Sequence, residues 1–341
     1  MKVQSRKSDD GATPGRPANG ISPVSLCRWG GVQATPCSVR AGAMVESIVG
    51  PWAKDKLDRL SKYLRAYTMI MQKQKWCREY VYIDAFAGPG EHGLRKATRT
   101  TTLQNALLDV ARYSLADEGQ HEFVLGSPSV ALGLEHPFTW YVFIEKDPGR
   151  VADLQQLKAT YGNRRRIAIH QGDCNSYLLN HVANDPRVDW RSTRVLVFLD
   201  PFGMQVPWDT LRALGQTNGI EVFLNFPVGM AIQRLLLRSG KFTERQRRRL
   251  NAYFGSPEWF DVLYRDEADL FGDSSPVKVE ASGKALLRWY RERLQQTFGY
   301  ASRAALVRNT KGGHLYYLML ATPKATGLKI ANEILSAGET V

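Results

Sequence analysis

Short apolar segments alternate with amphipathic segments over the central part of this chain. The apolar segments are rich in β-branched and aromatic residues, which is typical of strands, and they lie at 80–84, 140–145, 167–171, 195–200 and 220–225. Helical periodicity begins at Lys54 and returns at 128–136, 149–160 and 207–215. Strands that alternate with helices predict a parallel α/β sheet with right-handed crossovers.

The end of the chain has a different pattern. After Asn225 the sequence is helical and basic through 228–254, and it is helical again over 282–297. Two last apolar segments, 304–310 and 315–321, flank a Gly-Gly pair and predict an antiparallel hairpin. Together the segments predict a Rossmann-like class I methyltransferase fold, with a seven-stranded, mostly parallel sheet, a C-terminal antiparallel hairpin and helical additions.

The first 43 residues are rich in Gly, Pro and Ser, lack periodicity, and predict a disordered, basic tail. Met44 follows directly, so a translation start at Met44 is an alternative interpretation. We expect one α/β domain over 44–341, with a loop insertion at 91–126 and a helical insertion at 228–300.

Composition adds a candidate partner. The 46 Lys and Arg residues outnumber the 33 Asp and Glu residues, for a net charge of +13, which favours DNA or RNA as a partner. A solvated helix face is the more usual explanation for basic runs such as 164–166 and 245–249. Four scattered cysteines without paired spacing predict no metal site and fit a reducing cytoplasm. No apolar run is long enough to predict a membrane span.

Polar side chains end every predicted strand of the parallel sheet. Ligands of open α/β sheets bind outside the carboxyl ends of the strands, so Asp84, Glu145, Asp173, Asp200 and Asn225 are the candidate site residues. A recurrence at all five strands is harder to attribute to chance than any single motif.

The first strand leads into a glycine-rich loop. Gly88, Gly90 and Gly93 satisfy the G-x-G-x-x-G pattern of dinucleotide-binding sheets. However, Asp84 just before them would repel a pyrophosphate and attract a cation, and S-adenosylmethionine carries both an ammonium and a sulfonium. The helix signal comes only at Ser127-Pro128, as an N-cap and first helical residue. Asp84, Phe86, Gly88 and Gly90 are therefore candidate S-adenosylmethionine-binding residues, with a ligand-free turn as the alternative.

The next two strand ends supply further carboxylates. Glu145 could accept hydrogen bonds from both ribose hydroxyls of the cofactor, and Asp173 could accept one from the adenine amino group. The alternatives are a solvated strand-end carboxylate for Glu145 and a helix N-cap for Asp173.

The fourth strand ends in Asp200-Pro201-Phe202-Gly203. This resembles the Asp/Asn-Pro-Pro-aromatic motif of amino-methyltransferases, in which oxygen atoms accept hydrogen bonds from the target amine and the ring stacks on a flipped base. Here the second Pro is missing and Phe202 comes one position early, so an ordinary Asp-Pro turn carries equal weight. Asp200, Pro201, Phe202 and Asn225 are the candidate acceptor-aligning residues.

Taken in order, these segments resemble the three-Cys-motif partner (TcmP) family over about 50–335. The resemblance lies in the motifs YIDAFAGPG, GSP, FIE, GDCN, FLDPFG and NFP, followed late in the chain by LYYL. It implies a methyltransferase-like fold and a partner protein with a three-cysteine motif like that of radical S-adenosylmethionine enzymes. The loop at 91–126 is longer than the usual loop of that family.

Three functions remain open at this point. The first hypothesis is an S-adenosylmethionine-dependent methyltransferase whose acceptor is a nucleic-acid base or another amino group. The second is a non-catalytic partner subunit with a degenerate methyltransferase fold, which the missing second Pro favours. The third is a nicotinamide-dependent function, which only the glycine pattern supports.

Overall fold

The computed structural model describes residues 29, 48–49, 52–94, 123–227, 232, 236, 240–268, 274–279, 282–309 and 312–336. The predicted tail, apart from Trp29, and most of the insertion at 91–126 lie outside these residues. Trp29 is fully buried against one face of the central sheet, and its indole N–H donates a hydrogen bond to Glu79 Oε2 (3.2 Å).

Five parallel strands form the centre of the main sheet: β2 (Glu79–Asp84), β5 (Trp140–Glu145), β6 (Ile167–Gln171), β7 (Thr193–Leu199) and β8 (Ile220–Phe226). Their order across the sheet is β8-β7-β2-β5-β6. All seven residues of β8 are buried, and most of β5 and β7 are buried as well. Their continuous apolar sequences follow from this, because a parallel sheet is covered on both faces.

The C-terminal hairpin completes the sheet. β13 (His314–Thr322) runs antiparallel to β8 and lies between β8 and β12 (Ala305–Arg308), and it also pairs with the short β11 (Tyr300–Ala301). A mostly parallel sheet that ends in this reversed strand is the predicted arrangement. The predicted Rossmann-like fold, a mostly parallel sheet with a C-terminal antiparallel hairpin, is therefore confirmed. In the described part of the chain, the sheet has eight strands rather than the seven predicted, because the two-residue β11 also pairs with β13.

Helices cover both faces of this sheet. One apolar layer contains residues of α1 (Trp52–Met71), α2 (Ser127–Leu132), α3 (Pro148–Tyr161) and α9 (Ala325–Leu335). The opposite layer contains residues of α4 (Cys174–Tyr177) with its π-helical continuation Leu178–Ala183, of α5 (Trp208–Gln216), α6 (Glu244–Phe254), α7 (Trp259–Leu263) and α8 (Ser282–Phe298). Side chains alternate between the layers along each strand, so the core is divided into two halves by the sheet.

Two small sheets lie outside the main one. β3 (Glu91–Leu94) pairs with β4 (Phe123–Leu125) and with β1 (Ile48–Val49), at the two ends of the insertion. β9 (Tyr264–Ala268) and β10 (Ser274–Lys278) form an antiparallel pair between α7 and α8, in the region where the sequence indicates only helices and irregular chain. Among the described residues, no helix is both long and apolar enough to cross a membrane.

Candidate functional site

The five predicted strand-end side chains lie along one edge of the sheet. The strand order places them as Asn225, Asp200, Asp84, Glu145 and Asp173, on or within two residues of the ends of β8, β7, β2, β5 and β6. We call these five side chains the strand-end row. The sheet topology therefore brings together residues that are up to 141 positions apart, the difference between 225 and 84.

The loop after β2 is built on two left-handed glycines. Gly88 has φ of +64° and Gly90 has φ of +85°, and side chains are strained at such values. A Cβ at Gly90 would also lie 3.0 Å from Leu157 Cδ2. The Gly90 carbonyl accepts hydrogen bonds from Gly126 N (2.6 Å) and Ser129 Oγ (2.8 Å), which fix the loop against the start of α2.

Asp84 is fully buried at the end of β2. Its carboxylate accepts hydrogen bonds from the Ser127 hydroxyl, from Tyr82 Oη (3.2 Å) and from the N–H of the half-buried Phe86 (3.3 Å). Burial raises the pKa of Asp84 to about 7, and the neighbouring charge of Asp200 adds to the rise. Ser127 therefore donates a hydrogen bond to Asp84. The N-cap position of α2, which the sequence predicts for Ser127, is occupied by Gly126.

Glu145 connects the second strand to the glycine loop. Its Oε2 accepts a hydrogen bond from Gly88 N (3.0 Å), and its Oε1 accepts from the backbone N–H groups of Lys146 (2.7 Å) and Asp147 (2.9 Å). Arg150 lies 3.9 Å from Oε2, and the Glu145 side chain is 10% exposed. The carboxylate is therefore held in one orientation beside the loop.

Asp173 is the N-cap residue of α4. Its Oδ2 accepts hydrogen bonds from Ser176 N (2.9 Å) and Ser176 Oγ (3.1 Å), so the N-cap interpretation is confirmed. Both bonds go to Oδ2, and the described residues donate none to Oδ1. One oxygen can therefore cap the helix while the other accepts a bond from a ligand.

Asp200 and Asn225, two of the candidate acceptor-aligning residues, are in direct contact. Asn225 Nδ2 donates to Asp200 Oδ1 (2.7 Å), and Asp200 Oδ2 pairs with Lys56 Nζ of α1. An ionised carboxylate only accepts hydrogen bonds, so the Asn225 amide must present its nitrogen to Asp200. Its Oδ1 is thereby turned away, and this buried oxygen has no hydrogen-bond partner among the described residues.

Sequence reasoning missed Lys56. It lies 144 positions before Asp200, and nothing in the pattern of α1 distinguishes it from the other lysines of that helix. Its ammonium lies 5.6 Å from the ring centroid of Tyr316 on β13, and its side chain is 13% exposed.

The residues after Asp200 differ in exposure. Pro201 is buried, whereas the Phe202 ring is 74% exposed. The N–H of Phe202 donates to Gln205 Oε1 (2.8 Å), which fixes the turn. Pro201 lines a small cavity together with Leu199, Val206, Leu211, Leu224, Asn225, Tyr253 and Tyr290.

Helix α6 carries several exposed arginines. Arg245, Arg248 and Arg249 are exposed, and Arg248 pairs with Glu244 at 3.6 Å. The helix packs near the end of β8, where the rings of Tyr253 and Phe226 stack at 6.2 Å.

In the other basic run, 164–166, two of the three side chains contact the fold. Arg165 donates to the carbonyl oxygens of Leu132 and Leu134, and Arg166 lies 5.7 Å from the Trp140 ring centroid. The described ranges hold no group of three or more His, Cys, Asp or Glu side chains suited to a metal ion.

No family model matches the chain, and no curated protein matches it. Solved structures that are similar include protein LPL1258 from Legionella pneumophila, with 14% identity, 85% of this chain and 94% of that chain covered, and a TM-score of 0.46. The O-methyltransferase TomG from Streptomyces achromogenes, in complex with SAM, has 14% identity, coverage of 80% and 88%, and a TM-score of 0.36. Magnesium protoporphyrin IX methyltransferase from Synechocystis, with bound SAM, has 10% identity, coverage of 80% and 85%, and a TM-score of 0.33.

Proposed function

We propose that this protein is an S-adenosylmethionine-dependent methyltransferase. The observation that carries the proposal is the placement of Asp84, Glu145 and Asp173 on three adjacent strands, beside the left-handed glycine loop. These carboxylates match the donors of the cofactor in order: its ammonium at Asp84, its ribose hydroxyls at Glu145 and its adenine amino group at Asp173. The bound cofactor supplies an electrophilic methyl group on its sulfonium.

The acceptor lies at Asp200 and Asn225 in this proposal. The buried, unpartnered Asn225 Oδ1 accepts an N–H of the target amine, which directs the nitrogen lone pair toward the methyl group. Asp200 holds the Asn225 amide in the required orientation and does not itself bind the amine. This assigns to Asn225 the acceptor contact that the sequence motif suggested for Asp200.

We further propose a nucleic-acid base as the acceptor. The exposed Phe202 ring offers a surface on which a base can stack, and the exposed arginines of α6 could bind backbone phosphates. The TcmP family, with its three-cysteine-motif partner, remains the family we propose from the sequence motifs, and the cytoplasm remains the expected location.

A specific observation favours the non-catalytic alternative. Both carboxylate oxygens of Asp200 are already engaged, by Lys56 and by Asn225. If the Asn225 amide cannot bind an acceptor, the same fold would serve only as a partner subunit of the three-cysteine protein.

Calorimetric titration of the full chain with S-adenosylmethionine and, separately, with NAD tests the cofactor. We expect saturable binding of S-adenosylmethionine alone, which Glu145→Gln weakens at least about tenfold. Glu333→Gln is the matched control, because Glu333 is exposed on α9. Failure of the folded protein to bind S-adenosylmethionine would contradict the proposal.

Transfer of a labelled methyl group to total RNA and to genomic DNA tests the acceptor class. We expect incorporation into one of the two pools, abolished in Asn225→Leu, and binding of that pool that weakens steeply with salt. Cofactor binding without incorporation into either pool would favour the non-catalytic alternative or a different amine.

A further inference from the structure

The proposed cofactor site needs a positively charged partner that the strand-end row does not supply. S-adenosylmethionine carries two positive groups, the sulfonium and the ammonium, and one negative group, the α-carboxylate. Four of the five members of the strand-end row are carboxylates. These side chains can balance the positive groups, but they would repel the α-carboxylate, so its partner must come from another element.

Within the described residues, two cations contact the strand-end row. Arg150 lies 3.9 Å from Glu145 Oε2, on the ribose side. Lys56 pairs with Asp200, which directly follows β7, the neighbour of the strand that ends in Asp84, and raises the pKa of Asp84 through its charge. Lys56 is therefore the cation at the methionine end of the row.

The ammonium of Lys56 has N–H donors that Asp200 does not use. A lysine has three N–H donors and no acceptor, and Asp200 Oδ2 takes one of them. Its side chain is 13% exposed, so water competes less with a ligand there than at an open surface. Asp200 on one side and the Tyr316 ring at 5.6 Å on the other restrict the position of the ammonium.

We propose that Lys56 binds the α-carboxylate of S-adenosylmethionine and so selects ligands that carry it. The inference rests on the proposed function and extends it to a residue outside the strand-end row. Asp200 then has a second role, because it positions the Lys56 ammonium as well as the Asn225 amide.

A pair of ligands that differ only in the carboxylate tests this proposal: S-adenosylmethionine and decarboxylated S-adenosylmethionine. Both are titrated into the full-length wild type and into Lys56→Met, with Lys62→Met as the matched control on the exposed face of α1. We expect Lys56→Met to weaken S-adenosylmethionine binding about 10- to 100-fold and to change binding of the decarboxylated ligand less than about threefold.

A structural role for Lys56 would give a different result. Equal weakening of both ligands, or no change in either, would overturn the inference while leaving the proposed function intact. No binding of S-adenosylmethionine by the folded wild type would overturn both. Lys56→Arg keeps the charge and should retain the preference for the carboxylate-bearing ligand, and it also serves if Lys56→Met does not fold by circular dichroism.

Discussion

Two buried carboxylates in this molecule, Asp84 and Glu221, have similar burial and different surroundings. Both have a raised pKa, caused first by burial. Glu221, near the start of β8, accepts a hydrogen bond from Tyr63 Oη of α1 (2.5 Å) and another from the Thr322 hydroxyl of β13. It therefore links a helix to two strands of the sheet.

Asp84, at the end of β2, is held by groups of the loop and of α2, next to a second carboxylate, Asp200. The two sites show that a buried acid with a raised pKa is not by itself a sign of function. What distinguishes Asp84 is its place in a row of polar strand ends beside left-handed glycines. Variants at the two positions should separate stability from binding.

The largest effect is expected at Glu221. Glu221→Ala leaves the buried hydroxyls of Tyr63 and Thr322 without this acceptor, and it should lower the free energy of unfolding by about 3 kcal/mol in urea denaturation. S-adenosylmethionine affinity should change less than about twofold. Glu333→Ala on the exposed face of α9 is the control, with an expected change within about 0.5 kcal/mol. Loss of cofactor binding without loss of stability would reverse the roles we assign.

The converse result is expected at Asp84. Asp84→Asn removes the negative charge that balances the cofactor ammonium, so affinity for S-adenosylmethionine should fall about 30-fold, or about 2 kcal/mol. The free energy of unfolding should change less than in Glu221→Ala, because the variant removes a buried charge and keeps one acceptor oxygen. A larger loss of stability than of binding would show that Asp84 is structural too.

The pKa of Asp84 predicts opposite trends for stability and binding. Because its pKa of about 7 is above the ordinary value of 3.8, the folded chain holds this proton more tightly than the unfolded chain, and stability should fall as pH rises from about 4 to 7. Cofactor binding needs the ionised form, so affinity should rise about tenfold between pH 6 and 7.5. Calorimetry and urea denaturation across this range measure both trends. Asp84→Asn should show neither contribution, and an unchanged wild-type affinity would refute the assignment.

The smallest effect is expected at the exposed ring. Phe202→Ala should leave the free energy of unfolding within about 0.5 kcal/mol and lower methyl transfer to the nucleic-acid pool about fivefold, since stacking of a base contributes about 1 kcal/mol or more. Phe202→Trp should retain transfer. Equal transfer by Phe202→Ala would exclude stacking on this residue.

The central strands could be predicted to within about two residues because each is a short, largely apolar segment, and all except the edge strand β6 are mostly buried. Their polar ends could be predicted because each interrupts an apolar segment, although Asp84 and Asn225 are themselves buried. The hydrogen-bond or ion-pair partner of each of these polar side chains could not be predicted from the sequence. Ser127 contacts Asp84 rather than capping α2, and Lys56 reaches Asp200 from a distant helix. Such contacts depend on how elements pack, which one sequence does not encode as a local pattern.

The β9–β10 hairpin illustrates a second limit. Its first strand, Tyr264–Ala268, has the sequence YRDEA, and its second, Ser274–Lys278, contains a proline. Charged residues and proline are depleted in strands, so local preference argued against the structure that forms.

The contact between Gly90 and Gly126 has a consequence for the evolution of this chain. The insertion at 91–126 leaves and returns through residues joined by a 2.6 Å hydrogen bond, and a Cβ at Gly126 would lie 2.8 Å from the Gly90 carbonyl oxygen. Segments whose ends are fixed together can change length cheaply, because doubling a flexible loop costs only about 0.6 kcal/mol of closure entropy. The length of this segment can therefore change at low cost while the preceding glycine loop keeps its geometry.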